Sequence, residues 1–180
     1  VMVGFVPNMR RDMFKDERVR RALNLAYDFE EQNRTLFYDQ YQRINSFFFG
    51  TELASSGLPQ GRELEILEKV RGQVPDSVFT TPYENPVAGT PAKLRANLGE
   101  AVKLLKEAGY ELRGSQMVNA KTGEPLAFEV LLNGSTIEKV ALPWGQNLKR
   151  IGIQVSVRSV DSSQYVNRIR SRDYDVIYYG

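Results

Sequence analysis

The chain of 180 residues contains no cysteine and no histidine. Their absence excludes thiol catalysis, the Ser/His/Asp triad, and zinc or iron sites built on Cys or His ligands. No apolar run approaches the roughly 18 residues of a membrane-spanning helix, and no stretch of these 180 residues reads as a signal peptide. Neither charge sign dominates. Lys and Arg number 24 against 22 Asp and Glu, a net of +2, and the two signs are interspersed. Nothing in that balance forms a nucleic-acid surface. Glycine-containing stretches occur at Gly57–Gly61 and Gly89–Lys93, but neither has the strand–loop–helix frame of a phosphate loop. Acid pairs such as Glu30-Glu31 and Asp173/Asp175 lie among arginines, where solvation or ion pairing explains them, so no catalytic constellation stands out. What is present is an apolar content of 42% with 11% aromatics, enough for a packed core.

The stretch that organises the chain is Met13 to Tyr38. Asp16 is a good N-cap, and Val19, Ala22, Leu23, Ala26 and Tyr27 recur at helical spacing behind it. Arg18, Arg21 and Asn24 take the opposite face, with Glu17 four residues before Arg21. A second helix starts at Asp28 with Glu31 three residues on, and is expected to bury Phe29, the backbone on the Asn33 side, Leu36 and Phe37. Before these helices, Val1 to Pro7 is apolar on both alternations, the pattern of a strand covered on both faces.

Further on, Phe47-Phe48-Phe49-Gly50 and Ala54 to Pro59 predict an irregular segment, with the aromatics either plugging a core or lining a cleft. Gly61 to Val70 has helical spacing at Leu64, Leu67 and Val70. Proline density predicts a long surface loop from Gln73 to Pro91. Leu98, Ala101, Val102, Leu105 and Ala108 mark a helix closed by Gly109. Tyr110–Val118 and Leu126–Leu132, either side of Asn119–Gly123, read as a β-hairpin.

The last third is the clearest. A strand over Leu126–Leu132, a helix over Ile137–Arg150, a strand from Ile153, a helix capped by Asp161 and a strand over Tyr174–Tyr179 make β-α-β-α-β. That order predicts parallel neighbours joined by right-handed crossovers, in an α/β mixed sheet flanked by helices. Ligands of such sheets sit outside the carboxyl ends of the strands, here Asn133–Thr136, Asp161–Ser163 and Tyr178–Gly180. Arg168, Arg170 and Arg172 form the densest basic cluster, either paired with Asp173 and Asp175 or facing a ligand carboxylate. Trp144, the only tryptophan, is expected in the core.

The phrase Phe14-Lys15-Asp16-Glu17-Arg18-Val19-Arg20-Arg21-Ala22-Leu23 resembles the F-x-D-x-R-V-R-x-A-L line of the family 5 extracellular solute-binding proteins, the peptide-binding receptors of ABC importers. Leu104 to Tyr110, Gly123 to Leu126, Phe128 to Leu132, Val160 to Arg168 and Arg170 to Asp175 are similar to one branch, the Yej-type receptors for oligopeptides and microcin C. The resemblance implies a single domain over residues 1–180, most of the C-terminal lobe of a type II periplasmic binding protein-like fold, with the N-terminal lobe and C-terminal tail absent.

It further implies a non-enzymatic protein without cofactor or metal, periplasmic in its full-length form, that captures oligopeptides or peptide-like compounds by hinge closure. The partner implied is an inner-membrane ABC permease, with no nucleic acid and no direct membrane insertion. Ligand contacts are implied at Asn133, Ser135, Thr136, Arg170, Tyr178 and Tyr179. Tyr178 stands where relatives carry a charged residue, and the aspartate that some relatives use for a peptide amino terminus would fall just past Gly180. From residues alone, a non-catalytic interaction domain and an α/β enzyme of unknown class remain as alternatives.

Overall fold

The computed structural model describes residues 1–180 and divides into two compact units, Val1–Tyr41 with Pro86–Gly180, and Gln42–Asn85. The larger unit carries a four-stranded mixed sheet in the order β1-β6-β4-β5, with β1 at Gly4–Pro7, β4 at Ala127–Asn133, β5 at Gln154–Val160 and β6 at Val176–Tyr179. β4 is parallel to β5 and to β6, so the predicted β-α-β-α-β unit is present, its crossovers being α6 (Glu138–Arg150) and α7 (Ser162–Ser171). β1 closes the other side, antiparallel to β6, with Gly4 opposite Tyr179 and Pro7 opposite Val176.

The family motif has a structural explanation. Phe14 is fully buried against Phe128, ring centroids 5.6 Å apart. Asp16 caps α1 (Glu17–Leu25) by accepting from the Arg18 N–H at 2.9 Å. The Arg18 guanidinium closes a fork on the same carboxylate, at 3.1 and 2.7 Å, and donates to the Glu107 carbonyl at 2.8 Å. That last bond fixes the start of α1 to the final turn of α5 (Pro91–Glu107). Arg20 donates to the Phe14 and Lys15 carbonyls at 2.8 and 2.9 Å. Val19, Ala22, Leu23 and Ala26 then face the core with Leu98, Ala101 and Leu105. The motif's charged residues therefore hold a helix start in place.

The Arg18 hydrogen bonds hold the Asp16 carboxyl below its usual pKa. Asp16→Ala is expected to cost about 1 kcal/mol at pH 7, the usual worth of an N-cap. A group with a depressed folded pKa stabilises above its unfolded pKa and loses that effect as pH falls through the folded value. Urea titrations of both proteins at pH 7 and pH 2.5 check it. A gap that stays constant down to pH 2.5 would contradict the capping role.

Four sequence expectations are corrected. β1 is an edge strand four residues long, and Val6 on its outer face is exposed, because the helix covering that face reaches β4 and β6 only, where Tyr165 packs with Leu131 and Ile177. In α2 (Phe29–Leu36) the buried residues are Gln32 and Asn33, while Phe29, Leu36 and Phe37 are half-buried. Burial of these amides is tolerated because each is paired: Gln32 donates to the Val140 carbonyl at 3.0 Å and accepts from Tyr27, and Asn33 exchanges two bonds with the Tyr41 backbone.

The full hairpin is β2 (Tyr110–Arg113) with β3 (Gln116–Asn119), turning at Gly114-Ser115, whereas the expected hairpin about Asn119–Gly123 is reduced to a single antiparallel bridge, Val118 to Pro125, ahead of β4. The two-residue loop fixes the register of the longer ladder. Finally, Asp173 and Asp175 do not both serve the α7 arginines. Arg168 reaches Glu129 and Asp173, whereas Asp175 pairs with Arg11 at 3.4 Å, and Arg172 ends α7 in a left-handed conformation.

Gly152 is a case where glycine is required. Its φ is +87°, and a Cβ there would sit 2.7 Å from the Met117 backbone nitrogen, the atom that donates to the Gly152 carbonyl at 2.9 Å. The hairpin thus docks on the α6–β5 turn.

In the smaller unit, α3 spans Gly61–Glu68 and α4 spans Ser77–Thr80, the latter interrupting the predicted Gln73–Pro91 loop. Asn85 closes this unit by donating to the Ile44 carbonyl at 2.7 Å and to Asn45. Arg71 stacks over Phe79, 3.9 Å from the ring centroid. No residue of this unit is buried.

Candidate functional site

Because β4, β5 and β6 are parallel, their carboxyl ends share one edge of the sheet. Asn133 ends β4 directly opposite Val160 at the end of β5. The two following loops are tied together there: the Gly134 N–H donates to the Val160 carbonyl at 3.0 Å, and the Ser162 hydroxyl donates to Asn133 Oδ1 at 3.0 Å. Gly134 has φ +77°, which lets the chain turn sharply off the strand. Ser159 adds a 2.6 Å bond to Glu138 in the first turn of α6, and Asp161 caps α7 through the Gln164 N–H at 2.9 Å. The loops are held rigidly by short-range polar bonds, while Asn133, Ser135, Thr136 and Tyr179 stay exposed at the surface.

Tyr178 and Tyr179 complete this edge from β6. Tyr178 is half-buried, its ring 5.6 Å from Phe5, and the Tyr165 hydroxyl donates to its backbone carbonyl. Burial pushes the phenols of Tyr165 and Tyr178 above their ordinary pKa, so both are neutral hydroxyls at physiological pH. Tyr179 points to solvent, 56% exposed.

Arg170 does not join these residues. It lies one residue before the end of α7, and α7 runs back across the sheet from the end of β5 to the start of β6. Ten helical residues span roughly 14 Å, which carries Arg170 to the amino ends of the strands. Of the six residues, the structure therefore gathers Asn133, Ser135, Thr136, Tyr178 and Tyr179 at one edge and leaves Arg170 at the other.

Sequence reasoning missed what β1 contributes. Its antiparallel register puts Val3 and Gly4 beside Tyr179 and Gly180, and a Cβ on Gly180 would meet Val3 at 2.6 Å. An antiparallel pairing between the two ends of the chain leaves no local sequence signal. Two surface depressions lie away from this edge. One of about 440 Å³ runs between α6 and β5 past Leu142, Gly145 and Val157, and one of about 390 Å³ opens beside Glu129 and Asp175 at the amino ends. The carboxyl edge carries amide, hydroxyl and phenol groups able to hydrogen-bond and stack, with the Asp161 carboxylate exposed beside them and Glu138 taken up by Ser159.

All 180 residues match the profile of the bacterial extracellular solute-binding proteins, family 5 middle region. The chain belongs to this family. It is 64% identical over 176 residues to the probable peptide-binding protein YejA of Agrobacterium fabrum, covering 98% of this chain and 29% of that protein. It is 46% identical over 170 residues to YejA of Escherichia coli, covering 94% of this chain and 28% of that protein. The Yej-type resemblance of the sequence is thereby borne out, and the chain spans less than a third of the length of these relatives.

Solved structures agree on the fold. AppA of Bacillus subtilis, in complex with a nonapeptide, superposes with a TM-score of 0.70 at 19% identity, over 98% of this chain and 30% of AppA. NikA of Brucella suis, in complex with Fe(III)-EDTA, superposes at 0.65 and 25% identity, over 98% of this chain and 30% of NikA. Over the matched 30% of each of those chains the α/β sheet flanked by helices is the shared fold.

Proposed function

We propose that this chain forms one wall of the ligand cleft in the substrate-binding component of an ABC importer, a periplasmic receptor for oligopeptides or peptide-like compounds. The observation that carries this reading is the shared carboxyl edge of β4, β5 and β6, in a chain 64% identical to a probable peptide-binding protein. The edge suits a peptide. Neutral hydroxyls and amides pair with backbone N–H and C=O groups whatever the side chains, and the exposed Tyr179 ring offers apolar area at low entropic cost. Hinge closure is the mechanism that suits this reading: a ligand held by this wall and an opposing lobe favours the closed state by the contacts it makes only there. Delivery is then to the membrane permease of the importer.

The test is calorimetric titration of an oligopeptide into a receptor of full family length carrying this segment. Tyr179→Ala and Thr136→Ala are each expected to weaken binding about tenfold, the scale of a contact worth about 1.4 kcal/mol. Arg170→Ala, at the opposite edge, is expected to leave affinity unchanged. Loss of binding with Arg170→Ala but not with Tyr179→Ala would place the ligand elsewhere.

A further inference from the structure

The smaller unit, Gln42–Asn85, presents an exposed apolar loop. Phe47, Phe48 and Phe49 are 83%, 55% and 50% exposed, and Leu53 and Leu58 are exposed as well. Between Ile44 and Gln60 the only charged residue is Glu52. Charges resume at Arg62, which pairs with Glu65 inside α3, and Arg71 just past α3 pairs with Glu68, each three residues apart. A solvated loop of this length ordinarily carries more charge and fewer rings, and contiguous exposed apolar surface marks an interaction site.

The loop is also held in shape. The Ser46 hydroxyl accepts from the N–H groups of both Phe48 and Ser55, at 3.2 Å each. The Thr51 hydroxyl donates to the Phe48 carbonyl at 2.7 Å and accepts from the Leu53 N–H at 3.2 Å, while the Phe49 and Thr51 N–H groups close turns on Ser46 and Phe48. The backbone satisfies itself locally, so the rings point outward on a framework that is already formed. Preorganisation of this kind lowers the entropy lost on docking. A 44-residue unit without one buried side chain is also too small to be stable by itself.

We propose that the loop Ile44–Gln60 is an intramolecular docking face, covered in the intact receptor by a low-charge apolar surface belonging to the part of the receptor outside this segment. The length of the relatives supports that occupant over a second copy. The Agrobacterium fabrum protein is 64% identical across nearly all of this chain, yet 71% of it lies beyond the match, ample to supply the covering surface. The inference rests on family membership and not on the identity of the ligand.

Hydroxyl-radical footprinting of a ligand-free receptor of full family length carrying this segment tests it. Modification of Phe47, Phe48 and Phe49 is expected to be at least tenfold slower than in the same receptor unfolded in urea. Replacing all three by Ser is expected to lower the melting temperature of that receptor, with thermal unfolding as the second measurement. Rings modified as fast as in urea would overturn the proposal. So would protection that appears only when peptide is added, which makes the loop a cleft wall, or protection lost on dilution, which makes the cover a second copy.

Discussion

Taken alone, the 180-residue chain is expected to bind an oligopeptide about a thousandfold more weakly than a receptor of full family length that carries it. The carboxyl edge is one ledge, with Asn133, Ser135, Thr136 and Tyr179 all exposed to solvent. A peptide on it keeps its far side in water and still gives up conformational freedom, on the order of 0.5–1.5 kcal/mol per immobilised side chain. Removing even about 4 kcal/mol of opposing contacts weakens binding roughly a thousandfold, since each 1.4 kcal/mol is tenfold. Calorimetric titration of both proteins with one peptide decides it, with the near-ultraviolet circular dichroism of Trp144 verifying that the short chain is folded. Equal affinities would mean that this ledge suffices and that no two-walled cleft operates.

The second large effect is at Trp144, where α6 meets α1 and the sheet. Its indole N–H donates to the Leu23 carbonyl at 2.9 Å, its ring stacks on Phe5 with centroids 4.8 Å apart, and Phe128 lies 5.8 Å away. Only 5% of the residue is exposed. Trp144→Ala is expected to destabilise by about 3–5 kcal/mol, through the cavity left beside the Phe5 and Phe128 rings and a buried carbonyl without its donor. Leu23→Ala and Leu105→Ala, on the α1–α5 side of the same core, are expected to cost about 2–5 kcal/mol each. Chemical denaturation measures all three. Losses below about 0.5 kcal/mol at Leu23 and Leu105 would contradict the packing of α1 on α5.

The family motif shows how function and structure are divided within one sequence. Asp16 and Arg18 are charged, exposed in part and recognisable, which in another setting suggests ligand contact. Here they cap α1 and bind the last turn of α5, and no residue of the motif reaches the carboxyl edge. The motif identified the family because it encodes a helix start that the fold requires. The ledge, by contrast, is built from Asn, Ser, Thr and Tyr at strand ends and in the loop that follows β4, residue types with no diagnostic spacing. Asn133 and Tyr179 were nominated through strand ends and resemblance, and the parallel register brought them together. Arg170, implied by the resemblance, falls at the far end of α7, because a helix reverses direction between parallel strands.

Local pattern was sufficient wherever one element's own residues decide its state. The stripe Val19, Ala22, Leu23 and Ala26, the caps Asp16 and Asp161, and the alternation of Val155 and Val157 each specify a helix, a helix start or a strand through side-chain period and backbone hydrogen bonding. The β-α-β-α-β order likewise determined the parallel sheet, since short crossovers leave few topologies. Tertiary structure alone decided the rest. Whether β1 is covered depends on how far α7 reaches across the sheet. Whether Gln32 and Asn33 are buried depends on Val140 and Tyr41, which offer them partners. Gly152 must be glycine because the Met117 backbone arrives from a hairpin 35 residues earlier in the chain. In each case the deciding atoms are distant in sequence, and a one-dimensional period carries no information about which distant surface will arrive.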